Sequence, residues 1–126
     1  MRRIDLLKPI MEARLDLCAS KGFDSVDPDN LDGYTNDTGF PLTQEDQITF
    51  NAWLAEAAHA RGLAVSLKDA PELLPDLLPY FDFTVVEDCF AQDWCAEMQP
   101  FITAGKQVFT IEYTDNNIQF WVTFCP

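Results

Sequence analysis

Residues 22–34 read GFDSVDPDNLDGY. Phe23, Ser25 and Val26 open this stretch as a short strand, and Asp27, Asp29 and Asp32 follow at once. Pro28 interrupts the strand because it has no N–H to give to a ladder, and Gly33 supplies a turn. The chain therefore leaves a buried strand and immediately presents several carboxylates from a bent, proline-fixed segment. That layout suits chemistry at the carboxyl ends of parallel strands, where α/β sheets place their ligands. An Asp-rich solvated turn has the same composition, so the other strand ends have to discriminate.

On the N-terminal side, residues 5–21 predict a helix with Leu7, Ile10, Met11, Leu15 and Cys18 on one stripe. Pro9 is placed in its first turn, where a missing N–H is tolerated, and Gly22 ends it after Lys21. On the C-terminal side a turn-rich loop, TNDTGFPL, leads to a second helix starting at Thr43. Asp46 at its third position makes a weak capping box, and Phe50, Trp53, Leu54, Ala57 and Ala58 form the expected buried face. His59 suits the negative end of that helix, and Gly62 stops it. LAVSL (63–67), FDFTVV (81–86) and QVFTIEY (107–113) read as further strands, separated by short helices over 71–79 and 93–103. IQFWVTF (118–124) supplies a possible fifth. Alternating helices and strands that read as continuous apolar runs predict an α/β fold with four to five parallel strands and crossover helices.

With 126 residues, 48% of them apolar and including ten Phe and three Trp, the chain has the material for one domain with a core. Its net charge of −13 disfavours nucleic acid and favours a cationic ligand. No apolar run is long enough to span a membrane, and the N-terminus lacks the apolar segment of a signal peptide. None of the four cysteines sits in a CxxC pair and His59 is the only histidine, so a zinc site is not expected. Counting an EF-hand from Asp27 puts Leu31 and Thr38 at ligand positions, so the calcium pattern fails as well. No cofactor motif is present. Cys89 and Cys95 are spaced to close a short disulfide loop in an oxidising compartment; two reduced thiols fit that spacing equally.

The four strands end in Asp27 and Asp29, Lys68 and Asp69, Glu87 and Asp88, and Glu112. In a (β/α) barrel these ends meet on one face. Helix N-caps account for Asp69 and Asp88, but poorly for Lys68 or for Glu112 inside a strand-like run. Paired carboxylates without a nucleophile elbow or a phosphate loop point to glycoside hydrolysis, in which one carboxylate attacks or activates water and the other protonates the leaving oxygen. Lys68 is placed to keep the nucleophile ionised or to hold a sugar hydroxyl.

The stretches IMEARLDLCASKGFDSVDPDNLDGYTNDTGF, LTQEDQITFNAWLAEAAHARGLAVSLKD, FDFTVVEDCF with Cys95, and PFITAGKQVFTIEY resemble glycoside hydrolase family 114, the endo-α-1,4-polygalactosaminidase-type domain. The resemblance implies a (β/α)8 barrel, secretion, and cleavage of α-1,4-linked galactosamine polymers. It places the Asp of the family's PDN motif on Asp29 as nucleophile and the Glu of its E-x-C motif on Glu87 as acid/base. Asn30, Asp32, Tyr34, Lys68 and Glu112 fall on positions lining the cleft, with Asp27 beside them, and Cys89–Cys95 is the implied disulfide. A cationic or partly deacetylated polysaccharide as partner agrees with the acidic charge. Asp69 stands where the family usually has Asn, and Asp88 where it has Gln; each change adds charge beside Glu87 and removes an amide donor. A whole barrel takes about 200–250 residues, so a partial barrel is expected, resembling the C-terminal portion of the family domain. Two copies pairing to close it, or a longer parent protein, follow as expectations. A non-catalytic, carbohydrate-binding remnant is the alternative reading.

Overall fold

The computed structural model describes residues 2–113. Helix α1 (Ile4–Ser20) leads into strand β1 (Ser25–Val26), α2 (Gln44–His59) into β2 (Ala64–Lys68), α3 (Leu74–Leu77) into β3 (Phe83–Glu87), and α4 (Gln99–Thr103) into β4 (Gln107–Ile111). The strands lie in the order β1-β2-β3-β4, each parallel to its neighbour. Four sequential parallel strands with connecting helices make a partial (β/α) barrel. The possible fifth strand at 118–124 lies outside the described residues.

Each long helix starts or stops where its local chemistry says. The Thr43 hydroxyl accepts the Asp46 N–H at 3.2 Å and Asp46 accepts the Thr43 N–H at 3.0 Å, so the capping box at the start of α2 is complete. Gly22 (φ 78°) and Gly62 (φ 72°) take the left-handed conformation that closes α1 and α2. The N–H groups just beyond them bond back to the Cys18 and Ala58 carbonyls. Pro9 differs from expectation. The helix begins at Ile4, so Pro9 sits inside it and removes the hydrogen bond to the Asp5 carbonyl.

The register separates the sheet into two faces. Val65, Leu67, Thr84 and Val86 turn toward the helices and are buried with Leu54, Ala55, Ala58, Leu73, Leu77 and Phe101. Burying a leucine of this kind contributes roughly 2 kcal/mol, so this layer holds the helices on the sheet. The pairs Ser66↔Phe83, Lys68↔Val85, Phe83↔Gln107 and Glu87↔Ile111 place Ser66, Lys68, Phe83, Val85, Glu87, Phe109 and Ile111 on the opposite face. That is the barrel's inner face, and it carries the charged groups.

Three expectations are corrected here. Only β2 and β3 are continuous buried runs. β1 is a two-residue edge strand with Phe23 left outside it and exposed, and in β4 Phe109 is 53% exposed. In α1 the half-buried stripe runs through Leu7, Met11 and Cys18 around buried Leu15, while Ile10 is 57% exposed. In α2 Leu54, Ala57 and Ala58 are buried as expected, but Gln47, Asn51 and Ala55 are buried with them and Phe50 and Trp53 lie at the margin. Two polar residues, Gln47 and Asn51, open that face because they hold the loop after β1.

Candidate active site

Lys68 closes β2 with its side chain only 8% exposed, and its ammonium group lies among three carboxylates. Nζ is 3.1 Å from Asp29 Oδ1, 3.0 Å from Glu87 Oε1 and 3.8 Å from Asp69 Oδ2. Lys68 pairs with Val85, and Glu87 follows two residues on along the same face at the end of β3, within reach of the long Lys68 side chain. Asp29 arrives from the loop after β1, which places contributions from three strand ends around one cation.

That loop is held from below by α2. Asn51 Nδ2 donates to the Leu31 carbonyl at 2.8 Å, Gln47 Nε2 donates to Asn51 Oδ1 at 2.7 Å, and the Tyr34 N–H donates to Gln47 Oε1. Gln47 and Asn51 are fully buried, and each contact satisfies a group that would otherwise be stranded without water. Their i, i+4 spacing in line with Leu54, Ala55 and Ala58 was the sequence signal for this role. Asn30 adopts φ 58°, a left-handed conformation that Asn tolerates, and turns the chain just after Asp29.

The charges tune one another. Burial opposes the Lys68 charge, but the hydrogen bonds to Glu87 and Asp29 and the nearby Asp69 outweigh it and hold Lys68 above the usual lysine range. The hydrogen bond from Lys68, helped by the Asn30 backbone N–H, holds the Asp29 carboxyl below the usual aspartate value. Burial raises Asp69, more than its hydrogen bond from the Glu87 N–H and the Lys68 charge lower it. Asp29 is thus kept as an anion, the state a nucleophile requires.

The other predicted residues divide into two groups. Asp27 accepts a hydrogen bond from the buried Ser66 hydroxyl on the inner face, and the Asp32 charge reaches Asp69. Tyr34 points elsewhere: its hydroxyl bonds Glu72 at 3.2 Å. Glu112 lies just past β4 rather than within it, and accepts the Phe90 and Ala91 N–H groups at 3.0 and 3.3 Å. It latches the loop that Cys89 and Cys95 close with a disulfide. These three side chains are the described residues' one group of converging metal-capable donors; the sulfurs are bonded to each other and the carboxylate to backbone amides. Two residues of the site escaped the sequence reading. Tyr113 donates its hydroxyl to Glu87 Oε1 at 3.1 Å, and Ser66 holds Asp27. A polar residue at alternate positions of an otherwise apolar strand was the available signal for Ser66. Tyr113 gave none. A groove of about 320 Å³ between α1 and β1 is lined mainly by apolar side chains and includes, of these residues, only Asp27.

Comparison with known proteins gives two matches. The model of glycoside-hydrolase family GH114 matches residues 1–125. A crystal structure of Aspergillus fumigatus Ega3 in complex with galactosamine superposes with a TM-score of 0.83 at 44% sequence identity, covering 86% of this chain and 43% of that one. The chain therefore spans less than half the length of that relative. No curated protein matches it.

Proposed function

This chain belongs to glycoside-hydrolase family GH114, and on that premise we propose that it cleaves a galactosamine-containing polysaccharide with Asp29 as nucleophile and Glu87 as acid/base. The observation that carries the proposal is the Lys68 bridge. One ammonium group binds both carboxylates, so the two bound oxygens are at most about 6 Å apart, a bound that favours the short ~5–5.5 Å spacing of retaining enzymes over the ~6.5–9.5 Å of inverting ones. On this reading Glu87 enters the reaction protonated, its proton on Oε2 because Oε1 faces Lys68 and Tyr113; Asp29 attacks the anomeric carbon while Glu87 gives that proton to the departing glycosidic oxygen. Water then attacks the same carbon, Glu87 takes the water's proton, and Asp29 is released.

The relative's galactosamine complex supports an amino sugar as substrate. An amino sugar carrying a free amine is a cation near neutral pH, and a net charge of −13 would attract it. Asp27 and Asp32, beside the bridge, are our candidates for binding it, with Asn30; Tyr34 and Glu112 act at one remove by shaping the loops. The disulfide supports an extracellular setting, and no described helix is long and apolar enough to cross a membrane. We read the chain as one domain whose inner face needs the rest of a barrel, from a longer chain or from a second copy.

The test is reducing-end release from α-1,4-polygalactosamine by the parent and by Glu87→Gln, with circular dichroism on both. Release by the parent and none by a folded Glu87→Gln supports the assignment. Equal release by both removes Glu87 from it, and no release by the folded parent refutes the activity for this chain.

A further inference from the structure

Two aspartates at the strand ends share a geometry that neither the family match nor the proposed chemistry requires. Lys68↔Val85 is the last backbone pair between β2 and β3. Beyond it the Asp69 N–H donates to the Val85 carbonyl at 2.9 Å. In a continuing parallel ladder the Glu87 N–H would bond the Asp69 carbonyl next. It bonds Asp69 Oδ1 instead, at 2.9 Å. Asp69 has φ 49°, so its main chain has already turned away into the loop, and its side chain supplies the missing acceptor.

The same exchange recurs one strand along. Glu87↔Ile111 is the last pair between β3 and β4, and the Asp88 N–H donates to the Ile111 carbonyl at 2.8 Å. Asp88 has φ 52°, and the Tyr113 N–H bonds Asp88 Oδ1 at 3.1 Å. The first carboxylate fixes the backbone of Glu87. The second fixes the backbone of Tyr113, whose hydroxyl bonds the Glu87 carboxylate.

We propose that Asp69 and Asp88 are positioning residues, each carboxylate serving as an extra ladder rung, and that the two rungs together set where the Glu87 carboxylate stands. This rests on the reading of Glu87 as acid/base only for its effect on catalysis; the rungs themselves are tested without activity. An aspartate is suited to the task because it tolerates a positive φ and its oxygen reaches the position the lost carbonyl would have taken. The groups facing Asp69 are Lys68, Glu87 and Asp32, and the backbone rung uses the oxygen that Lys68 does not approach. The atom used is an acceptor, so Asn in place of Asp preserves the rung while Ala removes it.

The experiment follows the backbone amides of Glu87 and Tyr113 by NMR in the parent and in Asp69→Asn, Asp69→Ala, Asp88→Asn and Asp88→Ala. In the parent the Glu87 amide proton shifts as Asp69 loses its charge on acidification. That step falls above the ordinary aspartate range because the carboxyl is partly buried. Asp69→Asn abolishes the step yet keeps hydrogen-exchange protection of Glu87 within a few fold. Asp69→Ala lowers that protection by about tenfold or more, the loss of one backbone hydrogen bond. Asp88→Ala lowers the protection of Tyr113 in the same way, and Asp88→Asn keeps it. Where polygalactosamine is cleaved, the Ala variants lower kcat by about tenfold with KM changed less than about twofold, and the Asn variants restore it. Unchanged protection in Asp69→Ala, or a persisting step in Asp69→Asn, overturns the rung. Intact rungs with equal kcat in all variants overturn the positioning role. If the folded parent cleaves nothing, the proposed function fails while the amide measurements still decide the rungs; should an Ala variant not fold, the Asp69 titration in the parent and the amide protection kept or lost in the Asn variants decide them.

Discussion

Replacing Lys68 with Met isolates the charge at the centre of the site, because methionine keeps an apolar stem and loses the ammonium group. Two opposite charges about 4 Å apart attract by about 4 kcal/mol at an effective dielectric constant near 20. Lys68 has carboxylate oxygens at 3.0, 3.1 and 3.8 Å, so its gross attraction exceeds that of one such pair. Its own burial offsets part of the gain, and Asp29 is 69% exposed and well screened by water. Exposed pairs contribute about 0–1 kcal/mol, and breaking a buried one costs about 3–5 kcal/mol. The bridge falls between them, and Lys68→Met is expected to lose about 2 kcal/mol at pH 7.

The pH dependence separates charge from packing. Lys68 is raised above its ordinary value of 10.5 in the folded chain, so its contribution is complete below that value and disappears as pH rises through the folded value. Asp29 is lowered below its ordinary 3.8, so its contribution is complete above 3.8 and disappears as pH falls through the folded value. Asp69, raised above its ordinary 3.8, loses its share first as the pH falls, so the cost of Lys68→Met should be flat from neutral pH up to 10.5 and shrink in acid. Urea denaturation of both chains at pH 7 and at about pH 2.5 measures it. No loss at pH 7, or the same loss at both pH values, would refute the electrostatic account; the second result would assign the effect to the stem.

Other substitutions probe the supports. Asn51→Leu strands the Leu31 carbonyl and the Gln47 amide and should cost about 2 kcal/mol in urea denaturation, with less than additive loss when Gln47→Leu is combined with it. Thr43→Ala removes one half of the capping box and should cost about 1 kcal/mol by the same measurement. The double change Cys89→Ser and Cys95→Ser opens a short loop and should lower stability by about 2 kcal/mol, with proteolysis appearing first between residues 89 and 95. If the substrate is cationic, raising salt from about 50 to 500 mM should raise KM more than it lowers kcat.

The order of helices and strands was legible because parallel strands buried on both sides leave apolar runs and helices leave caps. β2 and β3 satisfy that condition and match closely. β1 and β4 do not, since among the described residues each has a strand on one side, and Pro28 stops β1 after two residues. The convergence of Asp29, Lys68 and Glu87 was also legible: each stands at or just beyond a strand end, and strand ends of a parallel sheet meet on one face. Tyr34 and Glu112 obeyed the same rule in sequence yet bond Glu72 and backbone amides, because nearness to a strand end says nothing about which way a loop side chain turns.

The two aspartates show where such reading stops. In sequence, Asp69 and Asp88 look like added charge beside Glu87, at positions where the family resemblance implies an amide donor. In the fold each spends one oxygen on a backbone N–H that the departing main chain has left without its carbonyl. A donor was never needed for that bond. Their effect on Glu87 is then of two kinds that act differently: the rung fixes position at any pH at which the oxygen accepts, whereas the charge acts only when ionised and is opposed by Lys68. Sequence pattern can report the charge, because charge belongs to the residue. It cannot report the rung, because that depends on a positive φ at the residue and on a neighbouring chain that continues two residues past the last pair.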